Sequence, residues 1–233
     1  TQAASLNDTL EVVAYDIASM SDMSASNGGT FQADVTFADG ADIITASAGT
    51  DNVRLGEDAG ASIASGGNEN VAIGKDALTA NTTGDANTAV GFSALTANTT
   101  GVRNTAVGRR ALVANTTGND NDAFARHALE ANTTGSQNVA IGRAALASNT
   151  TGDNNTAVGY SSLINNTTGT ANTAIGQNAL QANTTADNNT SVGFQSGFNN
   201  TTGAKNTFGG TFAGYNVTTG ADNVALGYGA LSS

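Results

Sequence analysis

The chain has no cysteine, no proline and no tryptophan, one histidine, and charged residues at only 12% of its 233 positions. Without cysteine there is neither a disulfide framework nor a thiolate metal site, and the redox compartment leaves no trace. Aromatic residues make up 5%. A core drawn mainly from Ala, Val and single leucines has to be thin and regular. No apolar run approaches the roughly 18 residues that span a bilayer, so membrane insertion is not expected. Neither a signal peptide nor an initiating Met opens the sequence, which is therefore expected to begin inside a longer gene product or to follow processing. Basic residues are scarce where acids are dense: residues 1–69 hold eleven acids and one base, residues 70–233 eight acids and seven bases, for a net charge of −11. An acidic head and a near-neutral body argue against nucleic acid, which needs a basic track to displace counterions. Solubility is the ordinary reading of the acidic stretch.

What the chain has in abundance is repetition. Units begin at Asn70, Asn87, Asn104, Asn121, Asn138, Asn155, Asn172, Asn189, Asn206 and Asn223, each 17 residues after the last, and an 18-residue variant from Asn52 to Glu69 precedes them as a leading rung. The consensus is N-T-A-V-G-x-x-A-L-x-A-N-T-T-G-x-x. A period of this size marks a stacked repeat architecture. Position four (Ile73, Val90, Val107, Phe124, Ile141, Val158, Ile175, Val192, Leu226) is filled by β-formers and reads as an inward strand site. Gly209 breaks that column, with Phe208 beside it to fill the gap. Position five is Gly except at Ala125, as expected for positive φ or a close backbone approach. Position eight is Ala or Ser, and position nine is Leu. Where that Leu is lost, at Gly197 and Gly214, the adjacent Phe198 and Tyr215 are expected to restore the volume. N-T-T-G at positions twelve to fifteen is a turn signal, and its Asn side chains are expected to stack into amide ladders.

Turn signals every eight or nine residues and poor helix propensity exclude a helical reading. The expected fold is all-β, a parallel β-solenoid or β-roll of 17-residue coils. Two short strands per coil are expected, one through N-T-A-V-G and one near A-L-x-A-N, with coils about 4.8 Å apart. One rung buries too few small apolar groups to stand alone, so stacking has to supply the stability.

Before the repeats, Leu6, Leu10, Val13, Ile17 and Met20 are spaced as an a/d heptad seam. Such a short helix needs a partner, and self-association is the preferred reading. After Asn27-Gly28-Gly29, the alternation of Phe31, Ala33, Val35 and Phe37 with polar residues predicts a strand with one wet face. Three parts follow: a helical coiled-coil lead-in over 1–27, a β adaptor over 28–51, and the repeat shaft over 52–233.

The segments V-A-I-G-K-D-A-L (71–78) and V-A-I-G-R-A-A-L (139–146) resemble the V-A-I-G-x-x-A motif of trimeric autotransporter adhesin heads, which are β-rolls formed by three chains. The inserted N-T-T-G departs from that family's shorter repeat. The whole chain is more similar to repetitive tail-fibre proteins of bacteriophages, in which arrays of this kind follow a lead-in like 28–37 and 43–49. The resemblance implies a homotrimeric shaft on a virion tail fibre. The shaft would join other tail or fibre proteins and space a receptor-binding tip for attachment, with host surface glycans as a further partner. A bacterial surface adhesin or extracellular filament subunit is the alternative.

Chemistry is sparse. His127, at a variable repeat position beside Arg126, reads as surface variation rather than part of a Ser–His–Asp arrangement. No phosphate-binding glycine motif occurs in a βαβ context. Asp85, Asp153 and Asp187 recur at position sixteen, but too few acids share that column for a calcium site. The N-T-T triplets match the N-glycosylation pattern, with a turn as the preferred reading, and double Thr ranks for ice binding are disfavoured because adjacent strand residues face opposite ways. Tyr160, Phe194, Phe198, Tyr215 and Tyr228 crowd the carboxyl-terminal half and carry a glycan-binding alternative. Positions six, seven, ten, sixteen and seventeen vary and are expected to face solvent. No catalytic, cofactor-binding or metal-ligating residue is assigned, and the chain reads as a non-enzymatic structural protein.

Overall fold

A computed structural model describes Gly49 and residues 51–233. The helical seam and nearly all of the adaptor expected before the repeats lie outside the described residues. Within them the chain is an all-β parallel solenoid. Strand β1 (Val53–Leu55) is followed by β2 (Val71–Ile73), β3 (Thr88–Val90) and further three-residue strands, one per coil, to β11 (Val224–Leu226). They form one parallel sheet in strict sequence order. The register never slips: Val71 pairs with Thr88, Thr88 with Thr105, and so on at 17-residue steps. The 18-residue leading unit is absorbed outside the strands, because Val53 pairs with Val71. At the usual interstrand distance the stack is roughly 50 Å long.

Two expectations about the coil are corrected. The first concerns direction. Position three, not position four, points inward: Ala72, Ala89, Ala106, Ala123, Ala140, Ala157 and Ala174 are fully buried. Ile73, Val90 and Val107 do form one shared file, as stacking requires, but it runs along the outside. Strand side chains alternate, so a one-residue error in placing the inward site exchanges the two faces. The reason lies in size. The interior is already filled by Leu78 and its counterparts at position nine and by two asparagines per coil, and only a methyl group fits between them.

The second correction is that the expected strand near A-L-x-A-N is absent from the described residues, where a run of turns stands instead. The leucines at position nine are in the left-handed region (Leu78 φ 54°, Leu112 φ 51°, Leu163 φ 49°), as are the residues at positions seven and seventeen, such as Asp76 and Ala86. A non-glycine residue there costs about 1–2 kcal/mol, and full burial of a Leu returns about 1.5–3 kcal/mol. The turns still bond coil to coil, through Leu78 N–H to Ala94 O at 2.9 Å and Ala80 N–H to Thr96 O at 3.0 Å.

Two asparagine ladders run through the interior. At position twelve, Asn98 Nδ2 donates to Asn81 Oδ1 (2.8 Å) and Asn115 Nδ2 to Asn98 Oδ1 (2.9 Å), and each also donates to the Gly carbonyl three residues on. This is the ladder expected from N-T-T-G. The second, at position one, has no counterpart among the expectations. Asn121 Nδ2 donates to Asn104 Oδ1 (3.1 Å) and to Gly135 O (2.8 Å), while its backbone N–H also reaches Asn104 Oδ1 (3.1 Å). Every one of these groups is buried, and an unmade bond there costs about 1–3 kcal/mol.

The stack changes near its carboxyl end. Phe208 occupies the inward alanine column and is fully buried. A Cβ on Gly197 would lie 2.7 Å from Phe208 Cδ2, and one on Gly214 would run into the same ring. Phe208 therefore takes the space of the two missing leucines. Phe198 and Tyr215, expected in that role, sit half-buried outside the core and stack on each other at 5.1 Å. In the coil before, Ser191 and Ser196 replace two alanines and share a hydrogen bond of 2.5 Å.

Candidate functional surface

The interior is used up by packing, so functional chemistry has to be sought on the outside. Outward side chains of the sheet make a Thr-rich file at position two and an apolar file at position four. In the apolar file, Leu55 is 45% exposed and Ile141 43%, and Phe124, Ile175 and Val192 are similarly open. The file runs from Leu55 to Val192 before Gly209 interrupts it, and a long exposed apolar stripe of this kind marks a candidate interaction surface.

Just beyond the sheet, position six forms a corner file, exposed at Lys75, Phe92, Arg109, Arg126, Arg143, Tyr160, Gln177, Phe194 and Tyr228 and half-buried at Thr211. The stacking is fixed by the backbone, since each position-seven N–H bonds the position-six carbonyl one coil earlier: Arg110 N to Phe92 O (2.9 Å), His127 N to Arg109 O (3.1 Å) and Ala144 N to Arg126 O (3.1 Å). Arg109 Cζ lies 5.8 Å from the Phe92 ring centroid, and Arg143 Cζ 5.6 Å from that of Tyr160.

Four of the five aromatics noted in the sequence converge in the last coils. Phe194 meets Phe212 edge-on at 5.5 Å, and Phe212 meets Tyr215 at 5.7 Å and Tyr228 at 5.9 Å. Phe198 joins through Tyr215. Tyr160 stays apart with Arg143. Phe212, Tyr215, Tyr228, Gly229 and Ser232 line an open hollow of about 300 Å³. Phe212 had no part in the sequence reading, although its position seven, one step from the Phe194 column, was the available signal.

The remaining candidates are structural. His127 Nδ1 lies within ion-pair distance of Glu130 Oε2 (2.8 Å) without the direction of a hydrogen bond, and Arg110 Nε reaches Glu130 Oε1 at 2.9 Å. Asp85, Asp153 and Asp187 accept backbone N–H groups from the preceding coil: Asn68 (2.7 Å), Ser136 (2.7 Å) and Thr170 (2.6 Å). These acids are spent on chain turns. Among the described residues no three His, Cys, Asp or Glu side chains are grouped to hold a metal. The Asn of each N-T-T from Asn81 to Asn183 is fully buried and closed to a glycan. Arg103 pairs with Asp120 through two bonds (2.6 and 2.9 Å), and that guanidinium holds the Asp120 carboxyl below the ordinary 3.8. Among the described residues no helix is long and apolar enough to cross a membrane.

Of the variable positions expected to face solvent, six and seventeen are mostly exposed, the latter at Arg103, Gln137, Asn154 and Lys205 among others, whereas seven, ten and sixteen are mostly half-buried.

No protein family, curated protein or solved structure matches the chain.

Proposed function

We propose that the chain is the shaft of a self-associating fibre, most specifically a homotrimeric bacteriophage tail-fibre segment that spaces a receptor-binding tip from the virion. The observation that carries this reading is an unbroken 17-residue register, pinned by two interior amide ladders, with an apolar file on the outside of the same sheet. A rod with bonds between all successive coils resists bending. The outer file gives it a surface to share with copies of itself. The outward side chains of this file offer on the order of several hundred Å² per chain, against about 800 Å² per partner in a standard protein interface. Copies of one chain have identical periods, so their files stay in phase over the whole length. The number three, and the tail-fibre setting, rest on the sequence resemblance.

A bacterial adhesin or filament subunit would use the same shaft. Sedimentation of the intact chain, beside a version starting at residue 28, tests the reading. A trimer is expected for the intact chain, and a monomer in both would overturn self-association.

A further inference from the structure

Three arginines in register, Arg109, Arg126 and Arg143, occupy the corner file in successive coils about 4.8 Å apart. Like charges directly opposite one another on neighbouring strands are unfavourable, and this chain is acidic overall. The ion pairs among the described residues are Lys75–Glu57, Arg103–Asp120 and Arg110–Glu130, with His127 also 2.8 Å from Glu130, so none of the three takes part in one. Glu130, in the coil of Arg126, is already engaged by Arg110 and His127. Asp122, on the outer face of the strand leading to Arg126, pairs with none of them. The file is closed by an aromatic ring at each end: Arg109 lies over Phe92 and Arg143 over Tyr160. The outer guanidiniums are thus drawn along the axis onto the rings, and Arg126 is left between them.

We infer that Phe92, Arg109, Arg126, Arg143 and Tyr160 form a binding track for an extended acidic polysaccharide lying parallel to the solenoid axis. Guanidinium forks bind carboxylates and sulfates in two-point fashion. Aromatic faces suit the apolar faces of sugar rings, and one pyranose unit is about as long as one interstrand step, so a linear polyanion laid along the axis brings several anionic groups within reach of the file. The matching file of another copy is a poor occupant, because it carries the same charges. Duplex nucleic acid needs a longer basic track than three residues. The track is separate from the position-four file, and its occupation does not depend on self-association.

The test is binding of the intact chain to fluorescent polygalacturonate, with neutral dextran and a single-stranded oligonucleotide as comparison polymers, over a range of salt. Polygalacturonate is expected to bind with a salt slope of about −2, as three neutralised charges on a single-stranded polyanion give. R109Q/R126Q/R143Q, three exposed changes, is expected to weaken it at least tenfold, while R103Q/K205Q, which removes charge elsewhere, leaves it within twofold. Phe92→Ala and Tyr160→Ala are expected to weaken it with the slope unchanged. Circular dichroism and sedimentation of each variant separate loss of the track from loss of fold or assembly. Absence of polygalacturonate binding, equal binding of dextran, equal or tighter binding of the oligonucleotide, or equal loss in R103Q/K205Q would overturn the assignment.

Discussion

The residues that hold this solenoid together are small or polar, and single-atom changes at them should be felt along the stack. A Cβ added to Gly118 would collide with Gly135 O and Asn115 Oδ1. The chain contains its own version of this change, Ala186. There the bond from Asn189 Nδ2 to the position-fifteen carbonyl, made in the coils on either side, is missing, and Asn200 Nδ2 to Asn183 Oδ1 lengthens to 3.3 Å. Gly118→Ala is therefore expected to cost about 1–2 kcal/mol in urea unfolding, the size of one or two weakened buried bonds. Asn121→Ala removes a donor pair and orphans the Asn138 N–H that uses its Oδ1; a loss of about 2–4 kcal/mol is expected by the same measurement. The opposite sign is expected at Ala125, the only non-glycine at position five. Its φ of 112° is strained for any residue with a Cβ, and Ala125→Gly should raise stability by about 1 kcal/mol.

At the scale of the coil, the sequence made the period, the parallel stacking and the position-twelve ladder legible, because each depends on identity recurring at a fixed interval. It did not reveal which strand face turns inward. Ala106 and Val107 are both apolar, and a β-branched residue is the usual core choice. Only the room left by Leu112 and the Asn104 and Asn115 side chains decides for Ala. The second expected strand failed for a related reason, since Leu has no preference for the left-handed region and nothing in A-L-x-A-N announces it. The candidate surface was legible in part. The aromatic cluster follows from composition, whereas the arginine file becomes visible only when position six is known to be the exposed corner. The face assignment has a direct test. Ala106→Leu is expected to destabilise by about 1–3 kcal/mol or more through overpacking, and Val107→Ala by less than about 0.5 kcal/mol in the isolated chain. Equal effects in thermal unfolding would place both residues on the same footing and contradict the alternation.

In the solenoid, stability is a sum of rung-to-rung contacts, and packing among the described residues leaves the outer sheet face available for assembly. Ile141→Lys adds a charge to the middle of the apolar file without touching the core. If that file joins copies of the chain, the variant is expected to shift the sedimenting species from oligomer to monomer while the circular dichroism spectrum stays unchanged. Retention of the oligomer would move the interface to the segment before the repeats or to another face.

The two amide ladders are also vectors. Along both, each side-chain N–H points toward the amino-terminal neighbour and each C=O toward the carboxyl-terminal one. Backbone bonds run both ways, as Thr88 N to Asn104 O and Gly91 N to Ile73 O illustrate, whereas the side-chain amides of each ladder all point one way and polarise one another. The rod is thereby given a direction by its interior ladders. Its two tips are chemically unlike, one offering donors and the other acceptors, so any unit that stacks onto it has to arrive facing the same way.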